Sequence, residues 1–186
     1  ITQIQVPMSD YQLSKYQKFR IAEIEKDKQM RRRKNEEELK SSYRIYSRLH
    51  CTFVFPEEIG SPYESKNIEL IAELEDLKDD SQIDDKKMNT TKKQITNKTK
   101  KLEQLSKEFL VELEKQKDQF MSLQNGSLDI YSPKYSRIIE RVLQSEGCCF
   151  VYSQFIEKVG LKTFAIGLKA TGKFAPFQIK KEGEQY

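Results

Sequence analysis

At 186 residues the chain has room for one ordinary domain, yet 33% of it is charged, 37% belongs to the AVILMFWYC set and it holds no Trp. That is too polar for every residue to share one compact core, so a core is expected at the C-terminal end and an extended or disordered stretch in the middle. The net charge of +4 is modest and matters less than its arrangement in blocks.

Several classes drop out early. No run of eighteen apolar residues occurs, so nothing in the chain is expected to span a membrane. Cys51, Cys148 and Cys149 are odd in number and two are adjacent, which does not suit a structural disulfide framework and fits a reducing, intracellular compartment. His50 lies beside Cys51 without partners at zinc spacing, so it is expected to be an ordinary surface or core histidine. The chain starts at Ile1 and stops at Tyr186 with no signal peptide or closing motif, and both ends read as cuts.

Ile4, Val6 and Met8 alternate with polar residues as in the end of a strand. A helix start follows. Ser9 can cap, Gln12 completes a capping box, and Met8 and Leu13 stand at the staple positions. Leu13, Tyr16, Phe19 and Ile24 give a partial apolar face, and with no Gly or Pro from Asp10 to Lys40 the helix is expected to run toward Leu39. Arg31, Arg32, Arg33 and Lys34 stand together before Glu36, Glu37 and Glu38. Such blocks form a solvated helix face or a disordered segment, or contact nucleic acid through their cations.

From Ser41 to Pro62 the chain turns aromatic and β-branched, and Tyr43, Ile45, Tyr46, Leu49, Phe53, Val54 and Phe55 could dock it on a folded body. Between Glu57 and Asp85 eleven acidic residues face two lysines, whereas Lys86 to Lys101 holds seven lysines and no acid. Two helices joined by a polar hinge are expected here. Ile68, Ile71, Leu74 and Leu77 mark the first. Ile95, Leu102 and Phe109, with Leu105, Leu113 and Phe120, make the second resemble a coiled-coil strand. Asn125-Gly126 supplies a turn.

The last sixty residues read most sharply. Ser132 caps a helix with Pro133 at its first position, Tyr135, Ile138, Ile139, Val142 and Leu143 form its stripe, and Gly147 closes it. Cys148 to Tyr152 is a short apolar run expected of a parallel strand covered on both faces, which would make both cysteines core residues. A helix carrying Ile156, Val159, Phe164, Ala165 and Leu168 leads to Gly172, and Phe174 and Phe177 suggest another strand. The alternation helix, strand, helix, strand is α/β. Ligands of open parallel sheets bind at the carboxyl ends of strands, where Ser153 and Gln154 would stand. A hydroxyl and an amide there can bind phosphate oxygens without reading bases, or Ser153 can simply cap the next helix.

Tyr131-Ser132-Pro133-Lys134, Val151 to Phe155, Gly160, Phe164, Leu168 and Gly172-Lys173-Phe174 resemble the opening of the second RecA-like domain of large superfamily 2 helicases of nucleocytoplasmic large DNA viruses, of the poxvirus, asfarvirus and giant-virus type. Val151 to Phe155 is similar to the helicase motif IV region. Pro7 to Gln12, with Tyr16 and Arg20, resembles the stretch after the first RecA-like domain of that family. Tyr43-Arg44, Ser47-Arg48 and Cys51 to Pro56 resemble its connector, with Thr52 where the family has Asn.

The resemblance implies an internal fragment in three parts: a connector over 1–62, a charged helical, coiled-coil or disordered insertion over 63–125, and the start of the second RecA-like domain over 126–186. It implies a viral, ATP-dependent helicase or translocase as the parent, placed in the host cytoplasm or the virion. ATP and Mg²⁺ would serve that parent. The chain has no G-x-x-x-x-G-K-[ST] loop and no acidic pair at a strand end, so alone it is expected to hydrolyse no ATP. It would instead contribute to the DNA or RNA track and to the cleft facing the missing first RecA-like domain. Ser153, Gln154 and Lys134 are the expected nucleic-acid contacts. Arg44 and Arg48 would lie at the interdomain surface or on phosphates, or pair locally with Glu57 or Glu58. Two rivals remain: a coiled-coil interaction protein, and a passive nucleic-acid binder acting through the basic runs.

Overall fold

A computed structural model of the chain describes residues 2–33, 45–61, 88–156 and 160–177. These form seven helices: α1 (Asp10–Arg33), α2 (Ile45–His50), α3 (Met88–Lys115), α4 (Lys117–Phe120), α5 (Ser127–Tyr131), α6 (Pro133–Gln144) and α7 (Leu161–Ala170). Arg44, Ile68, Ile71, Leu74, Leu77 and Val159 lie outside the described residues.

α1 starts where the capping pattern places it. The Gln12 amide donates to Ser9 Oγ at 3.0 Å, and the Leu13 amide to the Ser9 carbonyl at 2.8 Å. The reciprocal half of the capping box is absent. Gln12 Nε2 instead donates to the His50 carbonyl at 2.8 Å, and Gln12 is fully buried. Opposite it, His50 stacks on Phe19 with ring centres 3.8 Å apart. Glu23 of the same helix accepts the Ser47 amide at 3.0 Å, tying the start of α2 to α1.

The segment after α2 runs through the middle of the core. Phe53, Val54 and Phe55 are buried, as their aromatic and β-branched character suggests. Ring contacts run from Phe109 to Phe55 (6.2 Å), Phe53 (5.2 Å), Tyr135 (6.3 Å) and Phe164 (5.3 Å), joining α3, the 53–55 segment, α6 and α7. Leu113, Phe120, Met121, Leu128 and Ile139 complete this core. The second half of α3 therefore packs inward on Leu110 and Leu113, and Lys169 of α7 pairs with Glu114 at 2.5 Å. Asn125 Oδ1 accepts the Ser127 amide, and Gly126 takes a positive φ of 72°, which makes the expected turn before α5.

Ser132 caps α6 by accepting the Tyr135 amide at 3.1 Å, with Pro133 in the first turn. Tyr135 and Ile139 are buried, and Ile138, Val142 and Leu143 are half-buried, as their spacing requires. The helix ends at Gln144 with Ser145 as its C-cap, so the exposed Gly147 does not close it.

The α/β expectation does not hold. Among the described residues there is no strand and no sheet, so no partial RecA-like domain of alternating helices and strands is present. Cys148, Cys149, Phe150 and Tyr152 are exposed rather than interior, and Lys173 to Phe177 is exposed and unpaired by any ladder. An apolar run becomes a covered strand only when neighbouring strands satisfy its N–H and C=O groups, and no described segment supplies them. α7 also starts later than its stripe suggested, at Leu161. Ile156 lies outside it and is exposed, Ala165 faces outward, and Ile166 takes the buried position. The helix ends at Ala170 with Thr171 as its C-cap, and Gly172 follows with a left-handed φ of 70°.

Candidate functional site

Four of the five residues singled out above come together. Arg48, Lys134, Ser153 and Gln154 line one cleft of about 300 Å³. The fifth, Arg44, lies outside the described residues. Arg48 arrives from the last turn of α2 and Lys134 from the first turn of α6. Ser153 and Gln154 lie on the non-helical stretch that follows α6.

The cleft has a firm floor. Tyr135 Oη donates to the Gly160 carbonyl at 2.9 Å, which ties α6 to the residue where α7 begins. The Leu161 amide donates to the Phe155 carbonyl at 3.0 Å and the Lys162 amide to the Ile156 carbonyl at 3.1 Å. These bonds pull residues 155 and 156 onto the start of α7 and fix the wall that carries Ser153 and Gln154. Ser153 Oγ accepts the Phe155 amide at 3.2 Å, so its hydroxyl supports a local turn, not the N-terminus of α7.

The Arg48 guanidinium donates to the Gln154 side-chain oxygen and lies over the Phe155 ring, 5.6 Å from its centre. Glu57, one of the local partners considered for Arg48, pairs with Lys15 at 2.7 Å, and that ammonium holds its carboxyl below the ordinary range. Lys134 is exposed at the rim, close enough to Cys51 to oppose the effect of burial on that thiol, which still raises its pKa. Among the described residues lining the cleft there are two cations and no carboxylate. The start of α6 adds the positive end of a twelve-residue helix to the same rim.

Phe155, Cys51 and Tyr152 also line the cleft and were given no role by the sequence. Exposure alternates along this segment, with Phe150, Tyr152, Gln154 and Ile156 outward and Val151, Ser153 and Phe155 half-buried. An alternating reading of the run, in place of a continuous interior strand, would have drawn attention to Tyr152 and Phe155.

The arrangement suits an anion with several oxygens. A planar guanidinium, an ammonium, a hydroxyl and an amide can bind phosphate. Magnesium-bound ATP finds no matching group among the described residues of the cleft. Among the described residues no group of three or more His, Cys, Asp or Glu could hold a metal ion, and the cleft contains no glycine-rich loop. No helix among the described residues is long and apolar enough to cross a membrane. No protein-family model, no curated protein and no solved structure matches the chain.

Proposed function

We propose that the cleft holds the phosphate backbone of a nucleic-acid strand, and that the chain is a non-catalytic segment of an ATP-dependent helicase or translocase. The observation that carries the first part is the convergence of Arg48, Lys134, Ser153 and Gln154 from three separate stretches of chain on one wall with no carboxylate among its described residues. Phosphate contacts of this kind fix position and orientation without reading sequence, which is what a moving track requires. The second part rests on the sequence resemblance, and in it the binding and hydrolysis of ATP with Mg²⁺ belong to other parts of the parent protein.

The coiled-coil alternative is less well supported. It needs the stripe of α3 to face a partner, but Leu113 is buried in the chain's own core and Phe109 packs against it. Ile95 and Leu102 are residues whose side chains lie outside the described ones.

Fluorescence anisotropy with labelled single-stranded DNA and RNA tests the proposal. Binding is expected to weaken steeply with salt, and Lys134→Gln should weaken it for every sequence and reduce the log–log salt slope by about 0.7. Neutralising Lys86 to Lys101 should change it little. The opposite pattern, with Lys134→Gln silent and the lysine run essential, would assign binding to that run and remove the cleft.

A further inference from the structure

We infer that Phe150 and Tyr152 form an aromatic clamp that takes one unpaired nucleobase beside the cleft, making its ligand a single strand. The inference rests on the phosphate-binding role proposed for the cleft. Phe150 is 92% exposed and Tyr152 80%, unusual for two aromatic rings in one short stretch. Val151, Ser153 and Phe155, the residues between and after them, turn toward the body, so the two rings share the outward side.

Spacing favours a base between the rings. Residues two apart on an extended chain are separated by about 6.6 Å, at roughly 3.3 Å per residue. A flat base stacked on both faces needs two spacings of about 3.4 Å, nearly the same length. The neighbouring charges select what the clamp takes. Tyr152 lines the same cleft as Arg48 and Lys134, so a ligand on the clamp meets cations at once. An apolar peptide would bring no anion to match them. A polyanion that carries flat rings matches both features. Bases within a duplex are already stacked on one another and cannot enter, so the clamp distinguishes single strands from double.

The test compares a short oligothymidine, an abasic strand of equal length and a duplex, each bound to the full chain at fixed salt. Wild type should bind the thymidine strand on the order of tenfold more tightly than the abasic strand, and the duplex weakly. Tyr152→Ala and Phe150→Ala should each remove that advantage, while Tyr152→Phe keeps it. Equal affinity for thymidine and abasic strands, both weakened by Lys134→Gln, would overturn the clamp and leave the phosphate cleft standing. Binding of neither strand at low salt would remove the cleft's role and the clamp with it. A dimer in sedimentation that dissolves in the Phe150→Ala/Tyr152→Ala double variant, with oligonucleotide affinity unaltered, would assign the two rings to self-association and also overturn the clamp.

Discussion

The Ser132 hydroxyl donates to the Thr52 carbonyl at 2.5 Å while accepting the Tyr135 amide at 3.1 Å, so one side chain both caps α6 and holds the 52–55 segment against it. The Val54 amide reinforces this tie by donating to the Tyr131 carbonyl at 3.0 Å. The two segments stand eighty residues apart in the chain, yet Arg48 and Lys134 reach one cleft because this tie brings their elements side by side. Ser132→Ala loses the cap and leaves a buried carbonyl unsatisfied. A cost of about 2–3 kcal/mol is expected, from roughly 1 for the cap and 1–2 for the orphaned acceptor. Urea unfolding measures it. Ser132→Asp retains a cap acceptor but has no proton to donate to Thr52, so it should recover only part of the loss.

Gln12 distinguishes the capping box from what the fold uses. If Gln12 reached back to the Ser9 amide, Gln12→Glu would be tolerated, since glutamate favours that position. In the structure its amide nitrogen donates to the buried His50 carbonyl, and a carboxylate would bring a second acceptor and a buried charge against it. Gln12→Glu is therefore expected to destabilise by at least about 2 kcal/mol at neutral pH, read from the shift of the urea midpoint. Stability that is unchanged or improved would restore the box.

These two residues also show what the sequence could reveal. The capping roles of Ser9, Ser132 and Pro133 are played within one helical turn, so they are local and legible. The tertiary partners of Gln12 and Ser132 lie 38 and 80 residues away, and no periodicity points to them. Phe53 and Phe55 were expected to dock on a folded body and are buried at its centre. The run at 148–152 has the composition of an interior strand, but becoming one depends on neighbours that composition does not encode. In α7 the stripe was begun from Ile156, whereas Gly160 delays the start, which moves the buried face from Ala165 to Ile166. Ser153 and Gln154 follow from an expected strand end that the described residues do not contain, and nothing in the spacing of the chain places Arg48 over Phe155.

Alkaline pH should loosen the protein. Burial drives the Tyr135 hydroxyl well above the ordinary phenol range, and burial also raises Tyr131 and Cys51. An unfolded tyrosine ionises near pH 10 and a cysteine near pH 8.5. Above those values the unfolded chain releases protons that the folded chain keeps. The stabilising contribution is thus complete below them and is lost as pH climbs toward the folded values. Tyr135→Phe should cost about 1 kcal/mol at pH 7, because the Gly160 carbonyl loses its donor. The gap between variant and wild type should narrow above pH ~10, where only wild type pays for retaining the proton. Urea titrations at neutral and alkaline pH measure both, and a constant gap would mean that Tyr135 is not shielded from ionisation.

Gly160 links stability to the cleft. Its φ of −91° is negative, so a left-handed backbone is not what calls for glycine here. Space does. A Cβ placed there would lie 1.9 Å from the Phe155 carbonyl oxygen, a backbone atom that cannot swing aside. That same carbonyl accepts the Leu161 amide, so relief must displace the segment carrying Ser153 and Gln154. Gly160→Ala is expected to cost about 1–3 kcal/mol and to weaken oligonucleotide binding at temperatures where the variant remains folded. Gly172→Ala provides the contrast. There φ is +70° with nothing within 4 Å of an added Cβ, so only backbone strain of about 1 kcal/mol is expected, with affinity unchanged. Thermal melts alongside anisotropy separate the two effects, and equal affinity losses in both variants would mean that the wall is coupled to general stability and not to Gly160.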